Sequence, residues 1–479
     1  MPTRRSFCFS VLSSGAALLV PTYGVASGVI PTYEPTDMQY DLSWLRQTLL
    51  GVGVDPFAYS SRDEFEGAFA NALAESKKPT DAFSFGLRAM RVFATLNDGH
   101  CGVNFLPTIS ATRHAGLLGF PLDFVVRGER MFVGAQGDPR FPTGTEYISI
   151  NGISVADLIR RCLPYVGAQT HALRLTFVNI AILSYLYATF PAAPSFEVAF
   201  KIGDSIVETT VAATTFAVRS AAQARFAAAS EAAMSQAFGS FQPYSFSRLN
   251  GGRVGYIDYR SCEDEERFKS FLQSTFSAIK EQPVDAVIVD IRHNGGGDDE
   301  LNVDLWDYLT DKPFTMYGSM VVKVSDLLKT HYGKVKYQQI YTDKAWDMPD
   351  GSLLKIPFSP QPPPLNPLRF NGPVYVLVGT ATFSSAMECA LAAKDFHLAT
   401  LVGQETGEPV NSSGELYTGV SPRTGLSFHF PTKFFYGYLP RPMGQGVIPD
   451  VAIPEPSTVT SGVDPVLTWA MNHIHGENA

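Results

Sequence analysis

Two stretches hold residue types and spacings suited to acyl chemistry. In "TATFSSAMECALAAKD" (380–395), the adjacent Ser384 and Ser385 follow the apolar run Val376-Leu377-Val378 and open an alanine-rich stretch. A serine at a helix N-terminus meets free backbone N–H groups and the positive end of the helix dipole. That setting suits an activated hydroxyl, and equally an ordinary helix cap. In "DIRHNGGGDD" (290–299), three glycines follow a buried-type strand. Glycines let backbone N–H groups turn outward and approach a ligand closely, which is one way to build half of an oxyanion hole. The loop lacks the G-x-G-x-x-G spacing of a dinucleotide site, and no Gly-Lys-Ser/Thr follows as in a phosphate loop. The chain has no H-E-x-x-H, paired-cysteine or Asp-rich calcium motif, so no metal and no cofactor is expected.

The elements around these stretches argue for an α/β protein. "DAVIVDIR" reads as a strand buried on both faces. "ERFKSFLQSTFSAIKEQ" reads as an amphipathic helix. Strands alternating with helices predict a parallel or mixed sheet, with functional groups beyond the carboxyl ends of its strands. Both chemistry-bearing loops occupy that place. Upstream, residues 36–110 carry helical periodicity, and 115–215 turn to short strands. "GTEYISINGISVADLIRR" predicts strand, Asn151-Gly152 turn, short strand and helix. Residues 216–243 read as an alanine-rich helical connector, and 244–460 as the domain that carries the chemistry.

Hydrophobic residues make up 45% and charged residues 17% of the 479 residues, a globular composition. The net charge of −9 argues against nucleic acid and anionic membrane surfaces as partners. The N-terminus has Arg4 and Arg5, a short apolar stretch and the small residues Val25-Ala26-Ser27. This is the layout of an export signal over 1–27, and "TRRSF" resembles a twin-arginine signal. The expectation is a periplasmic or secreted protein without stable membrane insertion once the signal is cleaved. Four scattered cysteines would remain, and they read as buried free thiols.

Taken together the motifs resemble the C-terminal processing (tail-specific) serine peptidase family. There, a D-x-R-x-N-x-G-G loop precedes a strand-loop-Ser-helix segment, an Asp, a "VGE-x-T-x-G" strand end and a G-V-x-P-D signature. This chain has "DIRHNGGG", "TFSSAMECALAAKDFHLATLVGQETG" and "GVIPDVAIP". The resemblance implies a crotonase-like (Clp-protease-like) catalytic core preceded by a helical domain and a PDZ-like α+β domain that takes an extended peptide by strand addition. The family's Ser-to-Asp spacing falls on Ser384 and Asp395 and makes Ser384 the nucleophile. The N–H groups of Ser385 and Gly296 would hold the oxyanion, and the reverse assignment of the two serines stays open. Pro409 stands where many members carry a catalytic Lys. "LNDGHCGV" resembles the His-dependent, tricorn-like branch and makes His100 the general base, with His293 as a rival that lines the cleft. That branch often places a Glu before G-V-x-P-D, where Met443 and Gln445 stand here, so Asp98 and Glu415 remain the candidate orienting acids. The implied function is a serine peptidase acting on peptides or unfolded proteins through an acyl-enzyme. The alternatives are a peptide-binding protein of the same fold without turnover and a serine hydrolase of a non-peptide ester or amide.

Overall fold

The computed structural model describes residues 30–105, 118–134, 140–190, 193–215, 243–454, 464–474 and 476. The export signal and nearly all of the expected connector lie outside these residues. The protein is mixed α/β. Its N-terminal part is helical: α1 (Pro35–Val52), α2 (Arg62–Glu75) and α3 (Ala82–Ala94). Asp81 caps α3 by accepting the N–H groups of Phe83 and Ser84. The apolar face of α3 buries Phe85, Val92 and Phe93. A short strand, β1 (Gly102–Asn104), follows.

The next unit is a twisted antiparallel sheet of β2 (Phe124–Arg127), β3 (Arg130–Val133), β4 (Glu146–Ile150), β5 (Ser195–Ile202) and β6 (Ser205–Ala212), in the order β6-β5-β4-β3-β2. Asn151 and Gly152 both have positive φ in the turn after β4, as the Asn-Gly pair predicts. Helices α4 (Val155–Cys162) and α5 (His171–Thr189) cover the sheet, and the Asn179 side chain of α5 accepts the Val126 N–H of β2.

The remainder holds two sheets. The first runs β7 (Tyr244–Leu249), β8 (Val254–Tyr259), β9 (Ala286–Asp290), β12 (Val374–Val378), β13 (Thr400–Gly403) and β16 (Val451–Ala452). The β7–β8 pair is antiparallel, and every later neighbour is parallel. All residues of β9 and β12 are buried, because α6 (Glu265–Glu281), α7 (Glu300–Leu309), α9 (Ser385–Asp395) and α10 (Pro465–Ile474) cover the two faces. The second sheet contains β10 (Ser319–Lys323), β11 (Leu353–Pro357), β14 (Ser412–Val420) and β15 (Ser427–Tyr436), in the order β11-β10-β15-β14. α8 (Asp326–Ile340) packs with it. The N-terminal helices share its core, and β1 joins β15 by main-chain pairing. That pairing brings the chain just after Asp98 to the second sheet.

Beyond β9, Arg292 pairs with both Asp290 and Asp464, each at 2.6 Å, and Tyr256 donates to Asp290. The clamp ties the start of the glycine loop to α10. Truncating one partner of a buried ion pair leaves its charge uncompensated. Arg292→Ala is therefore expected to lower stability by about 3 kcal/mol in urea unfolding. A loss below about 0.5 kcal/mol would mean the clamp is replaceable.

Candidate active site

Ser384 lies at the turn between β12 and α9, just ahead of the helix. Its backbone sits at φ 56°, ψ −132°, a region that side chains strongly disfavour. The neighbouring glycine loop makes the turn possible. A Cβ on Gly296 would lie 2.5 Å from the Ser384 Cβ, so only glycine fits there. The buried Asn294 shapes that loop by donating to the Tyr259 carbonyl at 3.0 Å and accepting the Gly296 N–H at 2.8 Å. Asn302 of α7 donates to the Ser385 carbonyl at 2.8 Å.

The two serines have different surroundings. The Ser385 hydroxyl is buried and donates to the Gly297 carbonyl at 2.6 Å. The Ser384 Oγ faces His100 Nε2 at 3.1 Å. His100 is buried and stacks on the Phe383 ring, with centroids 4.4 Å apart. Behind it, Nδ1 lies 3.1 Å from Oε1 of Glu408, which is fully buried. By distance this is an ion pair, and neither atom has a hydrogen-bond partner among the described residues. Such contacts are often loose before substrate binds and tighten afterwards. Glu408 Oε2 accepts the backbone N–H of Ser384. One carboxylate thus touches both the imidazole and the main chain of the serine.

Burial alone would lower the His100 pKa, but the Glu408 charge and then Asp98 raise it, and the net direction is upward. His429, opposite Gly102 on β15, is pushed down to about 4 by burial and by repulsion from His100, so it stays neutral near pH 7.

The loop carrying Glu408 lies between β13 and β14. Thr406 N–H donates to the Val447 carbonyl at 3.2 Å, and Val447 N–H donates to Thr406 Oγ1 at 2.9 Å. Thr406 Oγ1 in turn donates to the Glu408 carbonyl at 2.9 Å. The "GVIPD" segment therefore braces the loop that supplies the acid. A small pocket opens beside Ser384, lined among others by Gly297, Tyr317, Glu388, Lys433 and Phe435.

The two acids expected to orient the imidazole have other work. Asp98 accepts the His100 backbone N–H at 2.9 Å and the Ser413 hydroxyl at 2.6 Å, so it holds the loop and not the ring. Burial pushes its pKa up. Glu415 pairs with Lys433 at 2.9 Å. The Gly296 N–H, expected at the oxyanion, is already taken by Asn294. His293 is exposed and does not line the cavity. Asp395 binds Arg441 at the far end of α9. Glu408 is the acid behind the imidazole, one residue before Pro409 and far in sequence from Met443 and Gln445. The sequence "QETGEPV" offers both Glu405 and Glu408, and no local pattern separates them.

Residues 253–453 match the family model "Peptidase family S41". By that match the chain is a serine-type peptidase. No curated protein sequence matches the chain. Among solved structures, mature CPAF complexed with lactacystin is similar, with TM-score 0.58 and 15% identity over 88% of this chain and 94% of that one. Mature CPAF is similar with TM-score 0.55 and 17% identity over 88% and 93%. At these identities the likeness concerns the fold, and it covers more of the chain than residues 253–453.

The strained serine gives a direct test. Ser384→Gly relieves the backbone and is expected to be more stable than Ser384→Ala by about 1 kcal/mol in urea unfolding. Equal stabilities would remove the strain.

Proposed function

We propose that the protein is an exported serine peptidase that cleaves peptide bonds through Ser384, His100 and Glu408. The observation that carries this reading is the 3.1 Å approach of His100 Nε2 to Ser384 Oγ, with the buried Glu408 3.1 Å behind Nδ1. A binding protein without turnover would not need this alignment. The reading is also supported by the S41 match, which implies peptide or protein substrates.

In the proposed reaction, Ser384 Oγ attacks the carbonyl carbon of the scissile bond while His100 Nε2 takes its proton. Glu408 stabilises the imidazolium and fixes the ring with Nδ1 protonated. The C–N bond then breaks, His100 gives the proton to the leaving amine, and an acyl ester remains on Ser384. Water, deprotonated by His100, cleaves the ester to a carboxylate and restores the serine.

The oxyanion is assigned to the N–H groups of Ser385 and Gly297. Ser385 is the first residue of α9, whose N–H has no acceptor within the helix. Around Gly297, the bridge to Cys262 uses the Gly296 carbonyl and the Asp298 N–H. The Gly297 carbonyl turns the other way, to the Ser385 hydroxyl. Gly297 also lines the cavity beside Ser384, which places its backbone at the site. The sheet unit at 115–215 is proposed to be PDZ-like and to present the substrate's chain end. The N-terminal Arg4-Arg5 signal is proposed to export the protein.

A fluorophosphonate probe is expected to label the wild type and Ser385→Ala, but not Ser384→Ala or His100→Ala. Hydrolysis of an unstructured peptide by Glu408→Gln is expected to fall at least about 100-fold in kcat. No labelling of folded wild type would sink the enzyme reading in favour of a peptide-binding protein. The pH profile has a stated sign. His100 works as a base only when neutral, and Glu408 favours its charged form. Wild-type kcat/KM is therefore expected to rise with pH through a midpoint above the ordinary imidazole value of 6.5. A midpoint below it would contradict the ion pair.

A further inference from the structure

The segment entering α5 lies outside the S41 match, yet it touches all three loops of the site. Gln169 accepts the Gly99 N–H at 3.1 Å and donates to Asp98 Oδ1 at 3.1 Å. Asp98 Oδ1 also accepts the His100 N–H at 2.9 Å, so Gln169 braces both sides of the His100 loop. Arg174 donates to the side chain of Asn97, a residue with positive φ at the start of that loop. Thr170 caps α5 by accepting the Leu173 N–H at 3.1 Å and donates to the Gly407 carbonyl at 2.8 Å, one residue before Glu408. Phe177 meets Phe383 edge-on with centroids 5.4 Å apart, and Phe383 precedes Ser384. Leu173, Ala168 and Phe383 form one small apolar cluster.

We propose that Gln169 and Thr170 are positioning residues, which hold the His100 loop and the Glu408 loop in register across the first turn of α5. The proposal rests on the Ser384–His100–Glu408 reading. His100 is contributed by the N-terminal part, whereas Glu408 and Ser384 come from the residues that match the S41 model. The β1–β15 pairing, shared packing and side-chain bonds such as Ser413 to Asp98 join these parts, and a third element with hydrogen bonds to both loops further limits the freedom that would let the imidazole drift. A displacement of about 1 Å at a reacting group costs on the order of 100-fold in rate, which is why bonds to the residues adjoining His100 and Glu408 matter. Neither residue touches the serine or the imidazole, and both act through main-chain atoms of Gly99 and Gly407.

The charged and titratable groups around the His100 ring are Glu408 from the β13–β14 loop, Asp98 from its own loop and His429 from β15. If the clamp loosens, His100 moves away from Glu408 and loses the interaction that favours its charged form, while burial persists. The pH at which the site becomes active then falls.

The test measures the rate of fluorophosphonate labelling against pH for the full chain, with Gln169→Ala, Thr170→Val, Thr170→Ser and Ser384→Ala. Gln169→Ala and Thr170→Val are expected to label about tenfold slower or worse at the plateau, with the midpoint moved to lower pH. Thr170→Ser keeps the hydroxyl and is expected to keep the wild-type rate and midpoint. Unfolding of part of a variant scales the plateau and leaves the midpoint in place. A slower plateau with an unmoved midpoint therefore overturns the proposal, as does an unchanged rate in both variants. Failure of the reading beneath it looks different, because wild type would then not label or Ser384→Ala would label as wild type does.

Discussion

A fully buried carboxylate is the constraint around which this site is arranged. Glu408 has no exposed surface, and a charge in that position is tolerated only when partners replace the water it gives up. Its two oxygens face the Ser384 N–H and the His100 Nδ1. Each partner comes from a different element. The position of Glu408 therefore sets the distance between serine and imidazole, and the loop bracing from Thr406 and Val447 sets the position of Glu408.

The rest of the architecture delivers the parts to that point. The parallel sheet ends β9 and β12 side by side, so the glycine loop and the serine turn meet at their carboxyl ends. That is where an open α/β sheet leaves room for a site. The serine turn is strained and the Gly296 backbone presses against it, and the well-packed helices α7 and α9 hold both. The second sheet supplies the remaining wall and, through β1, brings in the histidine from outside the residues that match the S41 model.

Much of this was legible in the sequence. The buried strands, the Asn151-Gly152 turn, the helix opening at the serines and the glycine loop each have a local signature, because periodicity and turn chemistry act over a few residues. The pairing of Ser384 with His100 could be read only from motifs, since no local pattern links residues so far apart in the chain. Glu408 was not legible. Glu405 and Glu408 stand in the same loop, and the fold alone decides that Glu405 stays exposed and accepts the Gly446 N–H while Glu408 turns inward. Asp98 misled for the same reason. It adjoins the DGH segment and does bond to His100, but to its main chain. The oxyanion assignment failed at Gly296 because the Asn294 side chain takes its N–H, a contact that depends on the loop's conformation.

The most direct measurement is titration of the His100 ring itself, by NMR of protein with labelled histidine Cε1. The chain has nine histidines, and His100→Ala assigns the signal. Wild-type His100 should titrate above 6.5, and in Glu408→Gln, where burial acts without the Glu408 charge, it should titrate at a lower pH than in wild type. If His100 titrates at the same pH in both proteins, Glu408 does not govern the imidazole and the account of the site is wrong.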